Sequence, residues 1–159
     1  MGIKRLQPSD ESLARKAIQI LKTDGYPSDV YESDYSYIVD FLKNPSNYFF
    51  VATDRGESIG FVLAYELERL DRPQPMILLY EVNVLESKRR QGVAKAMINH
   101  LKTICQERNI LKMWVLTNKA NQAAMRTYES TGGQLVKEDD MVMFVYYPED
   151  FADKNHTSE

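Results

Sequence analysis

Val82-Asn83-Val84-Leu85-Glu86-Ser87-Lys88-Arg89-Arg90-Gln91-Gly92-Val93-Ala94-Lys95 is the stretch on which the rest of the chain is read. An apolar strand ends, a short basic loop follows, and a helix opens on Gly92 and Ala94. The first amides of a helix have no intrahelical partner, and the helix dipole is positive there, so the spot favours an anion such as a pyrophosphate. A large side chain at Gly92 or Ala94 would hold a phosphate away from the backbone. The GxxxxGK[ST] loop and the GxGxxG dinucleotide fingerprint are both absent. A basic, glycine-containing helix start with no ligand has the same composition.

Outward from this loop the periodicity predicts the remaining elements. Upstream, residues 3–7 read as a strand. Ser9 or Asp10 caps a helix whose stripe is Leu13, Ala17, Ile20 and Leu21, ended by Asp24-Gly25. A second helix covers about 34–43, with Tyr37, Ile38, Phe41 and Leu42 turned inward, and Asn44-Pro45 stops it. Residues 48–53 and 58–67 form a hairpin around the turn at 54–57. After a proline-bearing loop at 69–75, the near-continuous apolar run 76–84 predicts a strand covered on both faces. Downstream come a helix from Gly92 to about Arg108, a strand at 111–117 and a helix at 120–131 ended by Gly132-Gly133. Two closing strands are expected at 134–137 and 141–147. The order is β-α-α-β-β-β-α-β-α-β-β, a single domain over 1–148 with a polar tail at 149–159.

Composition narrows the function classes. The chain has 159 residues, enough to bury a core, with 43% hydrophobic and 27% charged residues. The apolar runs are too short to span a membrane, and Met1-Gly2-Ile3-Lys4-Arg5 has no signal core behind it. The single Cys105 forms no internal disulfide and no cysteine–histidine cluster suggests a metal, so a cytoplasmic setting is expected. A net charge of −3 tilts against nucleic acid as a partner and is compatible with a cationic substrate.

A second constellation is Asn121-x-x-Ala124-x-x-x-Tyr128-x-x-x-Gly132, whose first three members fall on one helical face. Alone, it is equally a packing face closed by a tyrosine. Together, however, the Arg-x-x-Gly-x-Ala run from Arg89 to Ala94 and this second pattern resemble the GNAT superfamily of N-acetyltransferases. Both motifs stand in that family's order and separation, and the resemblance covers about 58–147. A finer similarity is to GNAT-type aminoglycoside 3-N-acetyltransferases. It rests on Tyr80-Glu81-Val82-Asn83-Val84 and Arg89-Arg90-Gln91-Gly92, with Glu81 where that branch usually has aspartate. The family usually places an aromatic where Gly133 stands.

The resemblance implies a mixed α/β (α+β) architecture, the GNAT acyl-CoA N-acyltransferase fold, with a central, mostly antiparallel mixed sheet flanked by helices. It also implies acetyl-coenzyme A as cofactor. Amides and side chains of Arg89, Arg90, Gln91, Gly92, Val93, Ala94 and Lys95 would take the pyrophosphate, and the backbone of Val82, Asn83 and Val84 would anchor the acetyl and pantetheine groups. Asn121 would bond the pantetheine–phosphate region, Ala124 would leave room for the arm, and Tyr128 would sit near the sulfur. A homodimer through the last strands is a family-level expectation.

Transfer to a primary amine needs a base and an acid. Glu81 interrupts an apolar strand and is the candidate base, although a salt-bridged or wet carboxylate has the same signature. Tyr128 is the candidate acid for the departing thiolate. Glu66, Glu68 and Asp71 on one side, with Glu138, Asp139 and Asp140 on the other, would attract a small polycation of aminoglycoside type if they rim the cleft; solvated surface charge is the plainer account. Of these, Glu66, Glu68 and Asp140 are the candidate acceptor ligands. Acetylation of a protein N-terminus or lysine is a second reading, and a non-catalytic coenzyme-A-binding sensor a third.

Overall fold

The computed structural model describes residues 1–23, 35–136, 143 and 147. The strands are β1 (Gly2–Arg5), β2 (Asn47–Asp54), β3 (Glu57–Leu67), β4 (Met76–Val84) and β5 (Lys112–Trp114). The helices are α1 (Glu11–Thr23), α2 (Tyr35–Lys43), α3 (Val93–Glu107) and α4 (Gln122–Ser130). The sheet runs β1-β2-β3-β4-β5, antiparallel as far as β4 and parallel between β4 and β5. The first nine predicted elements therefore occur in order, as a mixed, mostly antiparallel sheet. The expected strand at 134–137 is not found in its described part, 134–136; the strand at 141–147 and the tail lie almost wholly outside the described residues.

Alternation along the strands separates two cores. Tyr48, Phe50, Val62, Ala64, Ile77 and Leu79 pack beneath the α3 stripe of Val93, Met97, Ile98 and Leu101. On the other face, Phe49, Val51 and Phe61 meet Ala14, Ala17, Ile20 and Leu21 of α1 and Ile38 and Leu42 of α2. Each fully buried aliphatic side chain contributes about 1.5–3 kcal/mol, so these two layers hold the sheet between its helices.

Two features of β4 depart from the expected doubly covered strand. First, Leu63 pairs with Glu81 and Ala64 with Leu79, so Tyr80 is an extra residue in a β-bulge. The bulge reverses the alternation: Ile77 and Leu79 before it, and Val82 and Val84 after it, all face α3. Tyr80 is 62% exposed, and only the α3 face of this strand is sealed. Second, pairing with β5 covers only Met76, Ile77 and Leu78. From Leu79 to Val84 the outer edge of β4 has no strand partner among the described residues. The expected seven-residue strand at 111–117 is shortened to Lys112–Trp114 because the chain leaves the sheet there.

Candidate functional site

The open edge of β4 leads to the N-terminus of α3. Gly92 is the N-cap, with φ 80° and no side-chain cap, and the first intrahelical bond runs from the Ala96 amide to the Gly92 carbonyl, 2.9 Å. The amides of Val93, Ala94 and Lys95 precede that bond and point out of the helix. The left-handed φ makes glycine the favoured residue, and a Cβ there would meet nothing within 4 Å, so the space in front of the helix is open. Arg90, at φ 60°, continues the turn. The Arg89 Nε donates to the Val84 carbonyl at 3.1 Å and Gln91 Nε2 to the Ser87 carbonyl at 3.0 Å, which ties the loop to its own strand. Arg89, Arg90, Gln91, Gly92 and Lys95 are exposed, and the Val93 side chain is core.

Backbone direction sorts the three β4 anchors. The Leu85 amide donates to the Ile59 carbonyl of the inner neighbour, 2.9 Å. Alternation then turns the main chain of Asn83 inward to β3 and the main chains of Val82 and Val84 outward to the open edge. Arg89 bonding the Val84 carbonyl fits this direction. The Asn83 main chain, expected among the anchors, is therefore turned toward β3, and its side-chain Nδ2 donates to Glu81 Oε1 at 2.7 Å.

Glu81 lies on the α1/α2 face because the bulge puts it there. It lines a cavity of about 220 Å³ with Ile18, Phe41, Phe61, Leu63 and Tyr65. Burial raises its pKa above the ordinary carboxylate range, and the Asn83 hydrogen bond offsets part of the rise. Phe41, Tyr65 and Tyr80 form a run of edge-on rings, with centroids 6.3 Å apart for the first pair and 5.6 Å for the second. The sequence reading missed the bulge and this aromatic run. The available signal was the tyrosine–glutamate pair that breaks the apolar alternation of β4.

Tyr128 approaches from the opposite face. It is half-buried, packs against the α3-side core and lines a second cavity together with Leu79, Trp114 and Val115. Burial raises its pKa, so the phenol keeps its proton at neutral pH. The end of α4 fixes its backbone: the Gly133 amide donates to the Tyr128 carbonyl (2.9 Å) and the Gly132 amide to the Glu129 carbonyl (3.0 Å), with Gly132 at φ 89°. A Cβ at Gly133 would come within 2.9 Å of the Tyr128 carbonyl oxygen, which accounts for glycine where an aromatic was expected. Asn121 is the N-cap of α4, ahead of the helix rather than on its face, and its Oδ1 accepts from the Ala124 amide at 3.1 Å. Ala124 is half-buried one turn before Tyr128. Glu81 and Tyr128 thus lie on opposite faces of the sheet, beside the stretch of β4 that lies beyond the end of β5 pairing.

Among the described residues, the acidic side chains expected to rim the cleft do not gather there. Glu66 takes a bidentate contact from Arg108, 2.6 and 2.9 Å, and accepts from the Tyr48 hydroxyl at 2.5 Å. It sits opposite Ile77 at the start of β4, on the α3 face. Glu68 is exposed beyond the same end of β3, and Asp71 is bound by Arg69 at 2.6 Å. Glu138, Asp139 and Asp140 lie outside the described residues. Cys105 is half-buried, with burial raising its pKa, in keeping with a core role. No helix among the described residues is long and apolar enough to cross a membrane.

A sequence profile of the acetyltransferase (GNAT) family matches residues 15–133. N-acetyltransferase family 8 member 3 of Mus musculus is 26% identical over 98 residues, covering 62% of this chain and 43% of its own. The chain therefore spans less than half the length of that curated relative. In three dimensions the chain is similar to an aminoglycoside acetyltransferase from an uncultured soil metagenomic sample, crystallised with sisomicin. The TM-score is 0.81 at 22% identity, covering 92% of this chain and 94% of the other. It is also similar to an aminoglycoside N-acetyltransferase crystallised with coenzyme A, with TM-score 0.72 at 21% identity over 92% of this chain and 94% of that one. At these identities the likeness establishes the fold.

Proposed function

We propose a function from one premise: this chain belongs to the acetyltransferase (GNAT) family. The proposed activity is transfer of an acetyl group from acetyl-coenzyme A to a primary amine of a small molecule, in a ternary complex. One observation carries it: the open edge of β4 runs from a half-buried carboxylate, Glu81, directly to the outward amides of a glycine-capped helix.

The residues suit the carrier. The amides of Val93, Ala94 and Lys95, with Arg89, Arg90 and Gln91 beside them, would hold the pyrophosphate. The outward main chains of Val82 and Val84 would hold the pantetheine arm as a strand edge holds a peptide, with Asn121 Nδ2 and the space over Ala124 farther along. When bound, the carrier supplies an activated thioester.

Glu81 accepts the proton that the incoming ammonium must shed. The nitrogen lone pair would then form the C–N bond as the C–S pair leaves on sulfur; Tyr128 would give that sulfur its proton, and the second proton shed by nitrogen would restore the phenol, while Glu81 returns its own to solvent. The products are an N-acetylated amine and a free thiol. The outward Val82 amide is a fixed dipole for the developing oxyanion.

The structural neighbours are named for aminoglycosides, and one was crystallised with sisomicin. Within this chain, Glu66, Glu68 and Asp140 were the residues expected to attract such a polycation, and the first two stand at the far end of the sheet. Thiol release from acetyl-coenzyme A with a panel of amines tests the proposal. Amine-dependent release is expected; tight coenzyme A binding with no release for any amine would favour a sensor.

A further inference from the structure

We infer that the acceptor is a primary amine carrying a single positive charge on an apolar body of about ring size, seated in the cavity between the sheet and α1/α2. The inference rests on the acetyl-transfer reading and narrows its acceptor. Among the described residues, aliphatic and aromatic side chains supply nearly the whole wall, with Ile18, Phe41, Phe61, Leu63 and Tyr65 among them. Among the described lining residues Glu81 is the one carboxylate. Its described hydrogen bond comes from the uncharged Asn83 amide.

Charge complementarity sets the occupant. A single ammonium can rest against Glu81 and the tyrosine rings, because aromatic faces attract cations. Tyr65 and Tyr80 stand together on this face, 5.6 Å between centroids. Among the described residues a second or third ammonium on the same molecule would meet an apolar wall without a counter-charge, and burying an unpaired charge is costly. The cavity of about 220 Å³ matches a ring and a short linker in size and is small for a multi-ring sugar. Glu66 cannot serve as the missing counter-charge, since it lies on the opposite face beneath Arg108.

The test is calorimetric titration of the full chain, saturated with coenzyme A, with 2-phenylethylamine, spermidine and sisomicin. The phenylethylamine is expected to bind at least about tenfold tighter than either polycation, about 1.4 kcal/mol. Leu63→Gln should weaken the phenylethylamine about tenfold. Tyr65→Glu, at a partly exposed position on the cavity wall, should raise spermidine binding and close the gap. Tighter binding of spermidine or sisomicin, no binding of any amine, or a ranking untouched by both substitutions would overturn the inference. Thiol release is read separately. Phenylethylamine binding without release would remove the acetyl-transfer reading and leave the acceptor class standing. Release with polycations alone would do the reverse.

Discussion

Glu66 and Glu81 are the same residue type on adjacent strands of one sheet, and their surroundings give them opposite properties. At the start of β4, Glu66 is held by Arg108 and Tyr48, and these partners lower its pKa, with the arginine dominant. At the end of β4, Glu81 faces an apolar cavity and its pKa is raised by burial. A paired carboxylate is a stable fixture; an unpaired, half-buried one is poised to take a proton. On the proposed reading the lower end of the sheet holds and the upper end reacts, and a one-residue bulge at Tyr80 separates them.

The largest effect expected from breaking this contrast is on turnover. Glu81→Gln keeps the Asn83 hydrogen bond and removes the proposed base, so the rate should fall by about 10²–10⁴. Glu66→Gln should leave the rate near that of the parent. Equal losses in the two variants, measured by thiol release at saturating substrates, would erase the distinction between the ends. Tyr128→Phe comes next, with a rate loss of about 10², the lower end for a general acid, and coenzyme A affinity unchanged by calorimetry. A parent-like rate would remove Tyr128 as the acid.

Gly92→Ala sharpens the contrast from the binding side. A Cβ at Gly92 meets nothing, so the fold should tolerate it. The left-handed φ of 80° disfavours any L side chain by about 1–2 kcal/mol. The loop is expected to relax away from its amide-forward shape, weakening coenzyme A about tenfold with little change in melting. The reverse pattern, a lowered melting temperature with normal affinity, would make the turn purely structural.

The upper end was also the legible one. Arg89 to Ala94 and Asn121 to Tyr128 are local patterns, and the spacing of one helix start or one helix face is fixed by the chain itself. Glu81 stood out as a charge within an apolar run. Its face was not legible, because a bulge depends on the register between β3 and β4, which no local period encodes. For the same reason Glu66 looked like a cleft residue: its partner Arg108 is 42 positions away, and only folding brings α3's end beside β3. The turned-in main chain of Asn83 is likewise a consequence of strand pairing.

Smaller effects should appear in stability. In Glu66→Gln the Tyr48 hydroxyl keeps an acceptor and Arg108 loses its charge partner. Because the Arg108 side chain is 50% exposed, solvent screens the pair and the cost is about 1 kcal/mol or less. That corresponds to a melting temperature lower by about 2–4 °C. With its pKa lowered on folding, Glu66 contributes fully above the unfolded glutamate value of about 4.3, and the contribution is lost as pH falls through the lower folded value. The deficit of the variant should therefore be present at pH 7 and vanish in acid.

Glu81 should show the mirror image, with the smallest amplitude. Its pKa is higher folded than unfolded, so between those two values the folded chain binds more protons and stability declines as pH rises. Above the folded value the carboxylate is a full burden on the fold. Glu81→Gln removes that burden and keeps the Asn83 contact, so the variant should melt slightly above the parent at pH 7 and level with it near pH 4. Melting temperatures of both glutamine variants should meet the parent's in acid and depart from it in opposite senses toward pH 7. If Glu81→Gln instead melts lower at pH 7, the carboxylate has a cationic partner in the folded chain. The division between a holding end and a reacting end would then fail at its decisive residue.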